Sequence, residues 1–487
     1  MTITTASTAT TATELEDILA AAHGAAGLWG ALRPAQRADI LDQVAAALDA
    51  SAEELIPLAA QETHLTNGRL TGELKRTTFQ LRLFGEVLRD GGYLDARIDH
   101  ADPDWPMGAP RPDLRRVQRP IGPVLVFAAS NFPFAFSVAG GDTASALAAG
   151  NPVILKAHSG HPELSVQTAR IVISALRAAG APEGVFALIE GTDAGSAALR
   201  DPRIKAGSFT GSIQGGRALM DIAVSRPDPI PFYGELGSNN PVFVTAKAAA
   251  ARGTRIAEEF VASFTLGAGQ FCTKPGTIFV PSGSRMVEYL RSAALPDGAA
   301  LLNDRIQSGY LESLRQLSAH QHISVLAQGP DPLSDPPSPT LLLTRAEHVL
   351  AAPRELEAEC FGPTAVVIEY DDESQLVPLA ESFEGQLAAT IQAEDDCPVA
   401  ELVQVLDEKA GRVLWNQWST GVSVTYAQQH GGPYPATTAP GSTSVGTAAI
   451  ERFLRPVAFQ GFPQHLLPEA LQDSNPLNVP QTVNGQR

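Results

Sequence analysis

The chain has 487 residues, 44 % of them apolar and 18 % charged, a composition of ordinary folded proteins and a length that allows two or three substantial cores. A formal charge of −18 excludes nucleic acid and anionic membrane as partners, though not a local cationic pocket for a small anion. Three scattered cysteines (Cys272, Cys360, Cys397) suit neither a disulfide framework nor a zinc site, so no metal is expected and the thiols fit a reducing cytoplasm. The stretch 1–13 reads as a frayed tail rather than an export signal, and no apolar run is long enough to span a bilayer.

From Glu14 to about Arg97, apolar residues recur at helical spacing (Ile18, Leu19, Ala22; Ile40, Leu41, Val44, Leu48), and Ser51 with Glu54 predicts a capping box. Prolines 103, 106, 110 and 112 force an irregular crossing, and a polar, basic arm over 113–119 follows. Strands are then predicted over 123–128, 152–156, 185–189 and 204–209, with helices over 137–149, 164–179 and near 194–199. The alternation restarts at about Asn239, with strands over 241–244, 277–280, 365–370, 387–392 and 411–416 and helices around 257–267, 285–293 and 399–410. A proline-rich surface loop over 329–340 and an irregular tail from Arg455 complete the chain. The fold class is α/β, with two doubly wound units that bind ligands at the carboxyl ends of their strands.

Several strand ends carry chemistry. Leu266-Gly-Ala-Gly-Gln-Phe-Cys272-Thr-Lys-Pro-Gly276 sets a thiol among glycines, where a carbonyl can approach it. Asn131, in Ala128-Ala-Ser-Asn-Phe-Pro-Phe134, can aim its amide at a developing oxyanion. Lys156 ends a strand within reach of a ribose hydroxyl or phosphate, and Phe209-Thr-Gly211-Ser212-Ile-Gln-Gly-Gly216 offers backbone N–H groups to a pyrophosphate. Glu235, at the seam between the two α/β units, can take a proton from water or a thiol. Glu359-Cys-Phe361-Gly-Pro363 adds a second carboxylate beside an aromatic ring.

Singly these are more often structural than functional; in this order they resemble the aldehyde dehydrogenase superfamily over about residues 14–470. The resemblance implies Cys272 as nucleophile and Glu235 as general base for the hydrolytic water, with Asn131 and the Cys272 N–H forming an oxyanion hole. It implies a cofactor site of Lys156, His158, Ser159, Gly211, Ser212, Gly216, Glu359 and Phe361. It further implies a helical N-terminal part of the cofactor-binding domain (14–112), an oligomerisation arm (113–122), a Rossmann-like domain (123–236), a catalytic domain (237–447) and a C-terminal return and tail (448–487). Homodimer or homotetramer is the expected state, and a small aldehyde the expected partner.

Ser159 stands where NAD-preferring members often carry a glutamate, and Ser238 where a second glycine is usual. Loss of that carboxylate, with Lys156 and His158 adding attraction, implies that NADP is accepted and preferred over NAD. Ala129-Ser-Asn-Phe-Pro-Phe134, Lys156-Ala-His158, Phe271-Cys-Thr-Lys-Pro-Gly276 and the ending from Arg455 resemble the α-ketoglutaric semialdehyde (2,5-dioxovalerate) dehydrogenase subgroup. That implies NAD(P)-dependent oxidation to 2-oxoglutarate through a thiohemiacetal and a thioester, a late step of sugar-acid catabolism. A broad or long-chain fatty aldehyde dehydrogenase with the same chemistry is the alternative, and a catalytically silent dinucleotide-binding protein the alternative of another class.

Overall fold

The computed structural model describes residues 9–353 and 357–486; most of the expected N-terminal tail lies outside that range. From Thr10 the chain is already fixed. Its N–H donates to the Glu190 carbonyl at 3.0 Å, and Thr11 caps the helix Ala12–Ala31 in a reciprocal box with Glu14. Helices Pro34–Ala50, Ala52–Thr63 and Asn67–Asp90 follow. The box expected at Ser51 does not form, because Ser51 closes one helix as it opens the next and its hydroxyl turns back to the Ala47 carbonyl at 2.9 Å.

A parallel sheet runs in the order Phe186–Ile189, Val153–Lys156, Val124–Phe127, Ala206–Thr210, Phe232–Glu235. Every residue of Val124–Phe127 is buried, as a strand covered on both faces requires. The chain winds to one side of this strand and then to the other, so a crevice opens at its carboxyl end, where Asn131 lies. Trp29, wholly buried, donates from Nε1 to the Leu147 carbonyl at 3.0 Å and ties the N-terminal helices to this unit.

The second sheet has seven strands, ordered Ser324–Gln328, Thr340–Arg345, Thr364–Tyr370, Thr277–Pro281, Val242–Val244, Ala389–Gln392, Val413–Trp415. Only Ser324–Gln328 is antiparallel to its neighbour, and the proline-rich loop joins that pair. A small third sheet orders Leu454–Gln460, Leu114–Pro120, Ala96–Asp99 and Gln481–Val483. The tail expected to be irregular from Arg455 is therefore a strand, paired with Leu114–Pro120 along its length. Pro456 is tolerated because that strand lies at an edge.

The segment before that strand returns to the first sheet. Buried Arg452 donates to Asp142 Oδ1 at 2.7 Å, and Asp142 also accepts from Ser208 on the strand Ala206–Thr210. Removing one member of a buried pair strands the other charge. Arg452→Met is expected to lower unfolding stability by about 3–5 kcal/mol, measured by urea denaturation; a loss under about 1 kcal/mol would mean the pair carries little of the fold.

Candidate active site

Glu235 ends the strand Phe232–Glu235, and the next N–H, of Leu236, donates to the Ala436 carbonyl at 2.8 Å. The thiol arrives from the other sheet. After the helix Ala246–Thr265 the chain takes three successive left-handed residues, Gly267, Ala268 and Gly269. A Cβ at position 269 would stand 2.1 Å from the Gly362 carbonyl oxygen, so glycine there lets the 359–363 turn lie directly on the nucleophile loop.

These elements bring Cys272 and Glu235 together around a residue the sequence did not single out. His430 Nε2 lies 3.6 Å from Cys272 Sγ and 2.9 Å from Glu235 Oε1, and Ser444 Oγ donates to Glu235 Oε2 at 2.5 Å. The Glu235 and His430 side chains are almost wholly buried. His430 Nδ1 is buried and has no protein partner among the described residues. Burial alone would push the Glu235 carboxyl up, but His430 and Ser444 hold it below the usual carboxylate range. Burial, reinforced by the Glu235 carboxylate, drives the Cys272 thiol well above its ordinary value. The sulfur, nitrogen and oxygen donors lie within 4.8 Å of one another, a set that zinc accepts, and a metal there would occupy the thiol itself.

Asn131 reaches the same loop from the first sheet. Its Nδ2 donates to the Gln270 carbonyl at 3.2 Å, while its own carbonyl accepts from Arg69 at 2.7 Å. From below, Asn240 Nδ2 donates to the carbonyls of Cys272 and Lys274, each at 2.9 Å. Ser238, the departure from a double glycine, is buried and works in this support. Its hydroxyl reaches Gln386 Oε1 at 3.0 Å and accepts from the Leu387 N–H at 2.9 Å. Lys274 is buried, with Nζ donating to the carbonyls of Cys360, Gly362 and Thr364 at 2.6, 3.2 and 2.8 Å. The Glu359 carboxyl folds over Gly237, where a Cβ would stand 2.4 Å from Oε2, and burial pushes it up to about 7. Phe361 follows, half-buried.

The expected cofactor residues of the first sheet gather along its carboxyl edge. Lys156 ends one strand, and Gly211 and Ser212, both exposed, follow Thr210 at the end of another. Ser212 caps the helix Ile213–Val224 by accepting from the Gly215 N–H, while Gly216 is buried against Leu236. The first-turn N–H groups of that helix suit an anionic phosphate, so the residues present fit a dinucleotide. Two expectations need correcting. The Gly211 N–H is already donated to the Glu235 carbonyl at 3.0 Å and is not open to a phosphate. His158 adds no positive charge, because burial, with His161, Lys156 and Arg305 nearby, pushes it down to about 3, and its Nδ1 accepts from the Gly160 N–H. Arg305 supplies the second cation beside Lys156. The Ser159 side of the site is exposed.

His430 and Arg305 were missed for the same reason: each lies far along the chain from the motif it joins. A histidine in a Gly-Gly-Pro turn gives no periodic signal, and Arg305 looks like any charge in a first helical turn.

The aldehyde dehydrogenase family profile matches residues 2–455. An α-ketoglutaric semialdehyde dehydrogenase of Acinetobacter baylyi is 46 % identical over 459 residues, spanning 92 % of this chain and 87 % of that protein. An α-ketoglutaric semialdehyde dehydrogenase 2 of Azospirillum brasilense is 44 % identical over 93 % of this chain and 87 % of its own length. Among solved structures, a 3,6-anhydro-L-galactose dehydrogenase in complex with NAP superposes with a TM-score of 0.78 at 22 % identity, covering 92 % of this chain and 91 % of that one, a likeness of fold. The chain belongs to the aldehyde dehydrogenase family and is an NAD(P)-dependent aldehyde dehydrogenase.

Proposed function

We propose that this enzyme oxidises α-ketoglutaric semialdehyde to 2-oxoglutarate, with NADP preferred over NAD. The observation that carries the chemistry is the meeting of Cys272, His430 and buried Glu235 at the junction of the two sheets. The substrate reading is supported by the two relatives of that name, which match this chain over nearly its whole length.

Each residue takes a defined part. The Cys272 sulfur attacks the aldehyde carbon and its proton passes to the Glu235 carboxylate it contacts, which His430 Nε2 and Ser444 Oγ hold by donating to it and which gives that proton up to solvent before deacylation. Asn131 and the Cys272 N–H steady the oxyanion of the thiohemiacetal. A bound nicotinamide dinucleotide supplies the hydride acceptor. Glu235 then takes a proton from the water that cleaves the Cys272 thioester, releasing the acid. Lys156 and Ser212 would hold the phosphates, with Gly216, its N–H donated to the Ser212 carbonyl, letting the helix pack on Leu236. His158 would lie beside the adenosine ribose, and Glu359 and Phe361 would grip the nicotinamide end. Lys156 and Arg305, beside an uncharged Ser159, favour a 2′-phosphate. Homodimer or homotetramer pairing through the third sheet belongs to the same proposal. No helix among the described residues is long and apolar enough to cross a membrane.

Initial rates of NAD(P)H formation test this. The expected kcat/KM for α-ketoglutaric semialdehyde exceeds that for a long-chain aldehyde by about tenfold or more, and NADP exceeds NAD by a similar factor; a preference for the long-chain aldehyde would refute the substrate assignment. Glu235→Gln is expected to keep a burst of hydride transfer while slowing deacylation by about 100-fold or more in stopped-flow traces. An unchanged deacylation rate would remove the base role. Because the resting thiol is held in its neutral form, alkylation of Cys272 by iodoacetamide in the cofactor-free enzyme should keep rising through pH 9; a plateau below about pH 8 would contradict the burial argument.

A further inference from the structure

Arg76 lies on the helix Asn67–Asp90, close to the catalytic residues. Its guanidinium carbon stands 5.3 Å from the centroid of the Phe136 ring, and that ring lies 6.3 Å, centroid to centroid, from the imidazole of His430. Glu73 first, then Cys272 and Glu235, are near enough to act on its charge. Its hydrogen bonds are sparse. Nη2 reaches the Val422 carbonyl at 3.5 Å, the outer limit of a bond, and Nη1 is buried with no partner. Among the described residues no carboxylate oxygen lies within 4.0 Å of its nitrogens. Glu73, one turn away on the same helix, spends Oε1 on the N–H groups of Phe134 and Ala135 at 2.8 and 3.0 Å and keeps Oε2 buried without a hydrogen bond, so it offsets the charge of Arg76 without filling its fork.

Two other arginines approach the centre; each also has one buried nitrogen without a partner, Arg69 Nη1 and Arg412 Nε, but each makes at least one short bond to a carbonyl. Arg69 gives Nη2 to the Asn131 carbonyl at 2.7 Å and lies between the rings of Phe132 and Phe271. Arg412 gives Nη2 and Nη1 to the carbonyls of Ser419 and Gly421 at 2.6 and 3.1 Å. Arg76 thus keeps an unfilled guanidinium edge beside an apolar wall of Phe136 and Val422. A cation drawn partly out of water with an unpaired N–H is costly until an anion completes it, and a planar fork matches a carboxylate.

We propose that Arg76 binds the carboxylate of the 2-oxo acid substrate, setting its far end against Phe136 and Val422 so that the aldehyde carbon meets Cys272. The inference rests on the proposed oxidation of α-ketoglutaric semialdehyde and assigns the residue that selects a charged aldehyde.

The test compares wild type, Arg76→Met and Arg76→Lys on α-ketoglutaric semialdehyde and on pentanal, an uncharged aldehyde of the same carbon count, and titrates 2-oxoglutarate into each protein by calorimetry. In Arg76→Met, kcat/KM for the charged aldehyde should fall about 100-fold, mainly through KM, while that for pentanal stays within about threefold and 2-oxoglutarate binding is lost. Arg76→Lys, which keeps the charge without the fork, should fall between the two on the charged aldehyde alone, and it decides the matter if the Met variant does not fold. Equal losses on both aldehydes would make Arg76 a support for the thiol and overturn the proposal. Retained preference with retained 2-oxoglutarate binding would overturn it as well, leaving the substrate reading intact. A wild type with no preference over pentanal would overturn both.

Discussion

The ammonium of Lys274 holds the site in register. A lysine wholly removed from water must fill its donors, and this one does so with three backbone carbonyls of a single turn, those of residues 360, 362 and 364. The nucleophile loop is thereby fastened to the turn that carries Glu359 and Phe361, and Gly269 allows the two backbones to touch. Asn240 fastens the same loop from the crossover between the sheets, through the carbonyls of Cys272 and Lys274. The thiol and the proposed nicotinamide grip therefore cannot move independently. Burial disfavours the charged Lys274 and the charged Glu359 alike, and each partly offsets the cost to the other.

A chain of −18 net charge concentrates cations where its proposed ligands are anionic. Lys156, with Arg305 beside it, stands at the edge of the first sheet, and Arg76 stands near enough to Cys272 and Glu235 for their charges to act on it. The acids that matter are kept apart in function by their surroundings. Glu235, bonded to His430 and Ser444, stays ionised and ready to accept a proton. Glu359, with fewer bonds to its charged form, titrates near neutrality. Its raised value favours the folded state fully below the ordinary carboxylate range and loses that contribution as pH rises through about 7, where the carboxylate forms.

Features written in contiguous residues were legible in the sequence. The alternation of buried strands with helices, the glycines around Cys272, and Asn131, Lys156 and Glu235 at strand ends all depend on local spacing, and local spacing survives folding. Long-range closure was not legible. The Ser51 hydroxyl chose a backward bond because two helices abut there, and the edge strand Leu454–Gln460 exists because Leu114–Pro120 offers it a partner. The charge expected of His158 vanished chiefly because burial disfavours its protonated form, with His161, Lys156 and Arg305, distant in the chain, adding to it.

His430 shows why such closure matters for catalysis. Its backbone is fixed by Thr443, its ring touches Phe136 from the first unit, and Ser444, next in the chain, bonds the same carboxylate. Arg452, a few residues on, anchors the returning segment to Asp142 and so to the sheet that ends in Glu235. The segment 430–452 thus does one job twice: it closes the core of the first unit and completes the acid–imidazole–thiol contact above it. A substitution that loosened the Arg452 anchor would act on His430 and Glu235 together, because both sit on elements held by that one return of the chain.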